Sequence, residues 1–287
     1  MDLRLGARSL SLERVRLMGI VNVTPDSFSD GGRFLAVDDA VEHVARLVAE
    51  GADIVDVGGE STRPGAEPVS IDDELRRILP VVERVVGLGV PISVDTRHAA
   101  VAEAAIDVGA VMINDISGLR DRAMRAVAVC HQVPVVVMHM PNDDPATMQL
   151  HTDYDDVVGD VCAFLVDQAA RALADGVPQI VVDPGIGFGK TTEQSLELVR
   201  RLDEIVELGH PVLVGASRKG FIGQLTAVDD PADRLAGTLA VHLAAVGRGA
   251  SLLRVHDVAA HRQALDVWGS IESPLFAHER ATTEPEP

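Results

Sequence analysis

Short runs of apolar residues recur along the chain and alternate with longer stretches of helical periodicity. The runs are nearly continuous, which is typical of strands buried on both faces of a parallel sheet. They cover residues 16–21, 52–57, 91–94, 111–114, 134–138, 179–183, 211–215 and 252–255. Between them, stretches such as 37–51 and 70–87 carry their apolar residues on one stripe and end in glycine, which predicts helices.

Eight strand and helix units spread evenly along the chain predict an α/β fold, a TIM (β/α)8 barrel. A doubly wound sheet is the alternative, but the even spacing favours a closed barrel. Residues 3–5 and 10–12 predict a short N-terminal hairpin that plugs the bottom of the barrel. We expect one barrel domain over residues 1–275 and a disordered acidic C-terminal tail over residues 276–287, where the composition shifts to FAHERATTEPEP.

Composition restricts the class of function. The 287 residues include 25 basic and 44 acidic side chains, a net charge of −19, and aromatic residues make up only 3%. Such a surface argues against nucleic acids and anionic membranes as partners. No apolar run approaches the roughly 18 residues that a membrane span needs, and the charges scattered through the first residues lead us to expect no signal peptide. Cys130 and Cys162 predict two buried thiols in a reducing cytoplasm.

A polar or charged side chain lies at or near the carboxyl end of every predicted strand. One such residue is most often a helix cap or a turn former, but eight together predict a site at the barrel mouth. Asp95, Asn114 and Asp183 suit a polar heterocycle with N–H donors, and the cations suit a phosphate-type anion. These cations are Arg63, Arg218, Lys219, Arg254 and His256.

Three loops near these strand ends need an explanation. The glycine-rich segments 22–32 and 58–65 predict mobile loops over the active site, with ordinary surface loops as the alternative. Segment 183–191 (DPGIGFGKT) is not a Walker A loop, because Pro184 stands where the first glycine is needed. Lys190, one of only two lysines, is equally consistent with a solvated loop position and with a contact.

Taken together, the motifs resemble those of dihydropteroate synthases, pterin-binding enzymes of folate biosynthesis, over about residues 15–270. The matching segments are MGIVNVTPDSFSDGG (18–32), DIVDVGGESTRPGA (53–66), SVDT (93–96), INDISG (113–118), VVVMHM (135–140), DPGIGFGKT (183–191), GASRK (215–219), DRLAGT (233–238) and RVHDV (254–258). The resemblance implies condensation of 4-aminobenzoate with 7,8-dihydropterin-6-ylmethyl diphosphate to give 7,8-dihydropteroate and diphosphate.

The resemblance also implies a role for individual residues. The expected pterin site is Asp95, Asn114, Met138, Asp183, Phe188, Gly215, Lys219 and Arg254. The expected 4-aminobenzoate site is Phe28, Ser61, Thr62, Pro64 and Lys219. The expected diphosphate site is Asn22, Arg63, Arg254 and His256, with Mg²⁺ on Asn22. The expected catalytic residues are Asp30, Arg63, Lys219, Arg254 and His256.

Further implications are inhibition by sulfonamides, a homodimer and a cytoplasmic location. Helix 231–249 is rich in small residues, which suits a close dimer contact and packing on the barrel equally well. One alternative function is a pterin-binding methyltransferase, which needs no diphosphate site, so the STRPG and SRK motifs favour the synthase. A second alternative is an inactive pterin-binding paralogue, which should have lost loop or cation residues that this chain retains.

Overall fold

The computed structural model describes residues 1–23, 32–60, 69–142 and 144–272. The chain begins with β1 (Asp2–Leu5) and β2 (Arg8–Ser11), an antiparallel hairpin. Eight parallel strands follow, and their order around the sheet confirms the predicted TIM barrel. These strands are β3 (Arg16–Asn22), β4 (Ile54–Gly58), β5 (Ile92–Asp95), β6 (Met112–Asp115), β7 (Val135–Met138), β8 (Ile180–Asp183), β9 (Leu213–Val214) and β10 (Leu252–Val255).

The barrel closes between β8 and β9. Each strand from β3 to β7 pairs with the next one along the chain, and β10 pairs with both β3 and β9. The last gap is bridged by a parallel contact between Val182 and Val212, where the Val182 N–H donates to the Pro211 carbonyl at 2.9 Å. The doubly wound alternative is therefore wrong.

Helices follow the barrel strands along the chain. They are α1 (Gly32–Ala49), α2 (Ile71–Val85), α3 (Ala99–Asp107), α4 (Arg122–His131), α5 (Val157–Asp175), α6 (Thr192–Arg200), α7 (Leu202–Val206), α8 (Gly220–Thr226), α9 (Leu235–Val246) and α10 (Val258–Glu272). The side chain of Ser70 caps α2 by accepting from the Asp73 N–H at 3.1 Å. Within the described residues, the search for a helix able to span a bilayer found none.

The hairpin closes the amino-terminal end of the barrel, as predicted. Leu3 and Leu5 pack against the apolar residues that point inward near the strand starts. These residues are Met18, Ile54, Met112, Val136, Val181, Leu213 and Leu252. The Arg4 N–H also donates to Gln179 Oε1 at 2.7 Å, which ties the hairpin to the start of β8. Because this end is filled with apolar side chains, a ligand can enter only from the other end.

Alternation along the strands places polar groups higher in the barrel. On β4, Val55 and Val57 pack outward in the core shared with the helices, and Asp56 lies between them. Side chains on a strand alternate between its two faces, so Asp56 points into the barrel. The inward positions thus change from apolar at the bottom to polar at the mouth.

The prediction of two buried thiols is wrong. Cys130 is exposed on α4, and Cys162 is half-buried on α5. The buried stripe of α4 runs through Met124, Val127 and Ala128, and Cys130 falls outside it.

Candidate active site

Four residues at the carboxyl ends of neighbouring strands stand side by side. The strand register pairs Asn22 with Gly58, Gly58 with Asp95, and Asp95 with Asn114. A Cβ atom at Gly58 would lie only 3.2 Å from the Cβ of Asp95, so the glycine leaves room for that side chain. The register therefore brings together three of the polar residues predicted from the sequence.

Arg254 joins this row from β10. Its Nε donates to Asp56 Oδ2 at 2.6 Å, and its Nη2 donates to Asp95 Oδ2 at 2.6 Å. The amide of Asn114 donates to the same Asp56 oxygen at 2.8 Å. Burial disfavours charge on Arg254, but Asp56 and Asp95 outweigh this effect and raise the pKa of the guanidinium.

Asp56 is the site residue that the sequence prediction missed. It is fully buried and holds both Arg254 and Asn114. The signal that could have found it is an acidic residue at an inward position of an otherwise apolar strand, because a buried charge is retained only where it is paired.

The surroundings of Asp95 shift the pKa of its carboxyl group. Burial raises its pKa to about 7, Arg254 opposes this effect, and the nearby carboxylates of Asp56, Glu74 and Asp115 add to it. The ion pair with Arg254 therefore favours the carboxylate form against the effect of burial.

Asp183 and Lys219 lie on the other side of the mouth. Asp183 ends β8 and accepts the Gly185 N–H at 2.7 Å. Lys219 Nζ donates to the Ile186 carbonyl and lies 4.2 Å from the centre of the Phe188 ring. Burial raises the pKa of Asp183 and lowers that of Lys219 to about 8, and their mutual attraction opposes both shifts.

The loop that carries Ile186 and Phe188 is pressed against the end of β7. Gly185 has a φ of +65°, and a Cβ atom there would lie 1.9 Å from the His139 carbonyl oxygen. Lys190 is buried, donates to the Phe188 carbonyl at 2.9 Å and lies 3.0 Å from His139 Nδ1. The solvated alternative for Lys190 is therefore wrong, because its ammonium group is buried in contacts within the protein.

His256 and Arg218 differ in what holds them. The Ser217 hydroxyl lies 2.9 Å from His256 Nδ1 and accepts the His256 N–H at 3.2 Å. Arg218 makes a two-point contact with Asp257, at 3.0 Å from Nε and 2.5 Å from Nη2. The charge of Arg218 is already paired, which argues against the anion-binding role expected for it.

The remaining predicted residues divide into two groups. Met138 packs in a buried cluster with Met140 and Met148, and Phe188 lies against it. A Cβ atom at Gly215 would lie 3.7 Å from the Cβ of Arg254 and 4.0 Å from Asp183 Oδ2, which places this glycine between them. Outside the described residues lie Phe28, Asp30, Ser61, Thr62, Arg63 and Pro64.

Comparison with known proteins decides the family. The family described as "Pterin binding enzyme" matches residues 18–256. A dihydropteroate synthase from Synechocystis is 47% identical over 255 residues, which are 88% of each chain. The chain belongs to the dihydropteroate synthase family. It is therefore a transferase of folate synthesis, and the methyltransferase alternative is set aside.

Solved structures of other dihydropteroate synthases share this barrel. The enzyme from Thermus thermophilus in complex with 4-aminobenzoate has a TM-score of 0.87 at 56% identity, covering 94% of this chain and 100% of that one. The same enzyme in complex with 6HMPPP has a TM-score of 0.86. A probable bifunctional folylpolyglutamate synthase/dihydropteroate synthase from Haloferax volcanii is 48% identical over 88% of this chain, which spans 30% of that longer protein.

Proposed function

We propose that this chain condenses 4-aminobenzoate with 7,8-dihydropterin-6-ylmethyl diphosphate, and that the barrel mouth is where it does so. The observation that carries the proposal is a polar cluster inside an otherwise apolar barrel, in which buried Asp56, Asn114 and Asp183 lie with half-buried Asp95 and Arg254. Buried polar groups are costly unless they are paired, so a cluster of this size indicates a binding site for a polar ligand.

Asp95, Asn114 and Asp183 hold the edge of the pterin. A carboxylate accepts two parallel hydrogen bonds from a ring N–H and its neighbouring amino group. The planar guanidinium of Arg254 stacks on the pterin face, because Asp56 and Asp95 fix its orientation from two sides. Met138, Phe188 and Gly215 complete the pocket.

The chemistry is a displacement at the methylene carbon of the pterin. The bond to the diphosphate oxygen breaks with its electron pair leaving on oxygen, and the amine nitrogen of 4-aminobenzoate forms the new C–N bond and loses a proton. Arg254 and His256, with Arg63 outside the described residues, stabilise the charge of the leaving diphosphate. A neutral arylamine is already nucleophilic, so the step requires no strong base.

Lys219 stands between the two substrates. Its ammonium group is held beside Asp183 and over Phe188, where it contacts the pterin edge, and the resemblance also assigns Lys219 to the 4-aminobenzoate site. The other members of that pocket (Phe28, Ser61, Thr62 and Pro64) and the catalytic Asp30 stay predictions from the resemblance.

The residues at the mouth fit a magnesium ion that takes most of its oxygen ligands from the substrate diphosphate. Across the described ranges, the search for a group of three or more His, Cys, Asp or Glu residues able to hold a metal returned none. Asn22 places a half-buried amide at the mouth, and Mg²⁺ commonly takes one or two protein oxygens together with phosphate oxygens and water. When bound, the ion would neutralise charge on the diphosphate.

Three further expectations follow from the resemblance. Sulfonamides compete with 4-aminobenzoate, so a full rate at saturating sulfonamide would contradict that expectation. A homodimer uses α9, where Ala236 and Ala240 are exposed, and sedimentation would detect it. The cytoplasmic location stays a prediction.

Diphosphate release tests the proposed function. The purified chain is incubated with the pterin diphosphate, with and without 4-aminobenzoate, and both diphosphate and dihydropteroate are measured. The proposal predicts that product forms only with both substrates and that diphosphate appears in equal amount. An inactive paralogue would bind the pterin and release nothing, and this result would contradict the proposal.

A further inference from the structure

Helix α9 presents two buried acceptors to the turn that follows β9. The Ala216 N–H donates to His242 Nε2 at 3.0 Å, and the Arg218 N–H donates to Thr238 Oγ1 at 3.0 Å. Residues four apart on a helix share a face, so Thr238 and His242 reach the same turn. This turn leads directly into Lys219.

His242 is in turn bonded to a second buried histidine on α10. His242 Nδ1 lies 2.8 Å from His261 Nε2, and His261 Nδ1 lies 2.7 Å from the Asp257 carbonyl oxygen. Because a backbone N–H occupies Nε2 of His242, that nitrogen must accept and Nδ1 must carry the proton. His261 Nε2 must therefore accept, and His261 Nδ1 donates to the carbonyl. The contacts define one tautomer for each ring, and both rings are neutral.

Asp257 connects these hydrogen bonds back to the turn, because it contacts both His261 and Arg218. The carboxylate of Asp257 holds the side chain of Arg218, whose backbone has a φ of +60°. A non-glycine residue in this left-handed region costs free energy unless its surroundings hold it there. Thr238, His242 and Asp257 supply three such contacts, two on backbone N–H groups and one on the guanidinium.

We propose that His242 and His261 are positioning residues, which hold the turn 216–218 in the conformation that places Lys219 at the barrel mouth. The inference deepens the proposed function, on which it rests for the role of Lys219. An apolar pair could fill the same space, but it would leave the Ala216 N–H without its acceptor in a buried place. The two rings therefore do more than fill the core.

The test uses the fact that the chain has two lysines, Lys190 and Lys219. With ¹³C-labelled lysine, the two side-chain signals report the surroundings of each residue, and single substitutions assign them. His242→Leu removes the acceptor, and His242→Gln retains an acceptor and a donor. Val241→Ala is the matched control, because Val241 also packs on the core from α9 and its apolar side chain can accept no hydrogen bond from the turn.

We expect His242→Leu to move the Lys219 signal and its titration while the Lys190 signal stays in place. The KM for the pterin diphosphate should rise by roughly tenfold, which corresponds to about 1.4 kcal/mol. His242→Gln should restore both readouts to nearly wild-type values. Val241→Ala should lower the melting temperature and leave both unchanged.

Two results would overturn the proposal. The first is that His242→Leu and Val241→Ala, at equal loss of stability, have the same Lys219 signal and the same KM. Both histidines would then contribute only to the stability of the fold. The second result applies if His242→Leu does not fold. His261→Leu then removes the acceptor of His242 Nδ1, one bond further from the turn. An unmoved Lys219 signal in His261→Leu would contradict the proposal. An inactive wild-type chain would refute the proposed function. The lysine signals need no turnover, so they would still decide this inference.

Discussion

Arg254 donates to Asp95 across the mouth of the barrel, with Nη2 and Oδ2 2.6 Å apart. The guanidinium also holds Asp56, so its charge is shared between two carboxylates before any substrate arrives. From the sequence alone, Arg254 is one of several cations expected to attract an anion. In the structure two carboxylates fix the plane of this guanidinium, and a fixed planar cation suits stacking on a pterin.

Removal of the Asp56 carboxylate should destabilise the fold and the site together. Asp56→Ala removes the acceptor of Asn114 and leaves Arg254 with Asp95 alone of its two carboxylate partners, and we expect a loss of about 3 kcal/mol in the free energy of unfolding. Asp56→Asn keeps an acceptor of the same size and should lose less. Urea unfolding measures both, and an Asp56→Ala chain as stable as wild type would mean that Asp95 alone suffices to hold Arg254.

Gly185 and Gly220 should respond oppositely to alanine. At Gly185 the added Cβ would overlap the His139 carbonyl and the φ is +65°, so we expect Gly185→Ala to cost about 2–3 kcal/mol. At Gly220, the first residue of α8, nothing lies within 4 Å of the added atom, and alanine favours helices. Gly220→Ala should therefore be neutral or stabilising by up to about 1 kcal/mol. Equal losses in urea unfolding would contradict the close approach at Gly185.

The buried His242 should make stability depend on pH. Burial lowers its pKa well below 6.5, so the folded chain keeps the ring neutral while the unfolded chain protonates it below pH 6.5. Unfolding then takes up a proton, and this contribution to stability is complete above pH 6.5 and is lost as the pH falls. The loss approaches about 1.4 kcal/mol per pH unit until the folded pKa is reached.

Urea unfolding of wild type and His242→Gln at a series of pH values isolates that contribution. The difference in free energy of unfolding, wild type minus variant, should fall steadily as the pH drops below 6.5. Val241→Ala, which removes no titratable group from the same helix, should give a curve parallel to wild type. Parallel curves for His242→Gln as well would show that the folded chain tolerates a charged ring.

Lys219 should give the activity an alkaline limit. Burial lowers its pKa to about 8, so above that pH the group loses the charge that we assign to substrate binding. We expect kcat/KM to fall as the pH rises through about 8, and the fall to disappear in Lys219→Arg, because arginine stays protonated. A pH profile that stays flat beyond this pH, or an unchanged limit in Lys219→Arg, would assign the titration to another group.

Much of the barrel is visible in the sequence because buried parallel strands leave a strong signal. The apolar runs end within a few residues of the observed strands, and the polar residues Asp95, Asn114 and Asp183 are read directly from their positions after those strands. Two helices, α8 and α10, went unpredicted. The first is short and begins without a side-chain cap.

What could not be predicted depends on contacts between distant residues. Lys190 is a surface residue by type, and only the approach of His139 and the Phe188 carbonyl makes its burial possible. Arg218 looks like an anion-binding cation until Asp257 is placed beside it. Periodicity finds the elements, but it contains no information about which charges will be paired.

The central claim is that the polar barrel mouth binds the pterin, and calorimetric titration of the pterin diphosphate tests it most directly. Asp183→Ala removes the carboxylate at the end of β8, and Asp203→Ala removes an exposed one from α7 as a control. We predict that wild type and Asp203→Ala bind alike, and that Asp183→Ala binds at least about a hundredfold more weakly, about 2.8 kcal/mol. Unchanged affinity in a folded Asp183→Ala chain would contradict the account.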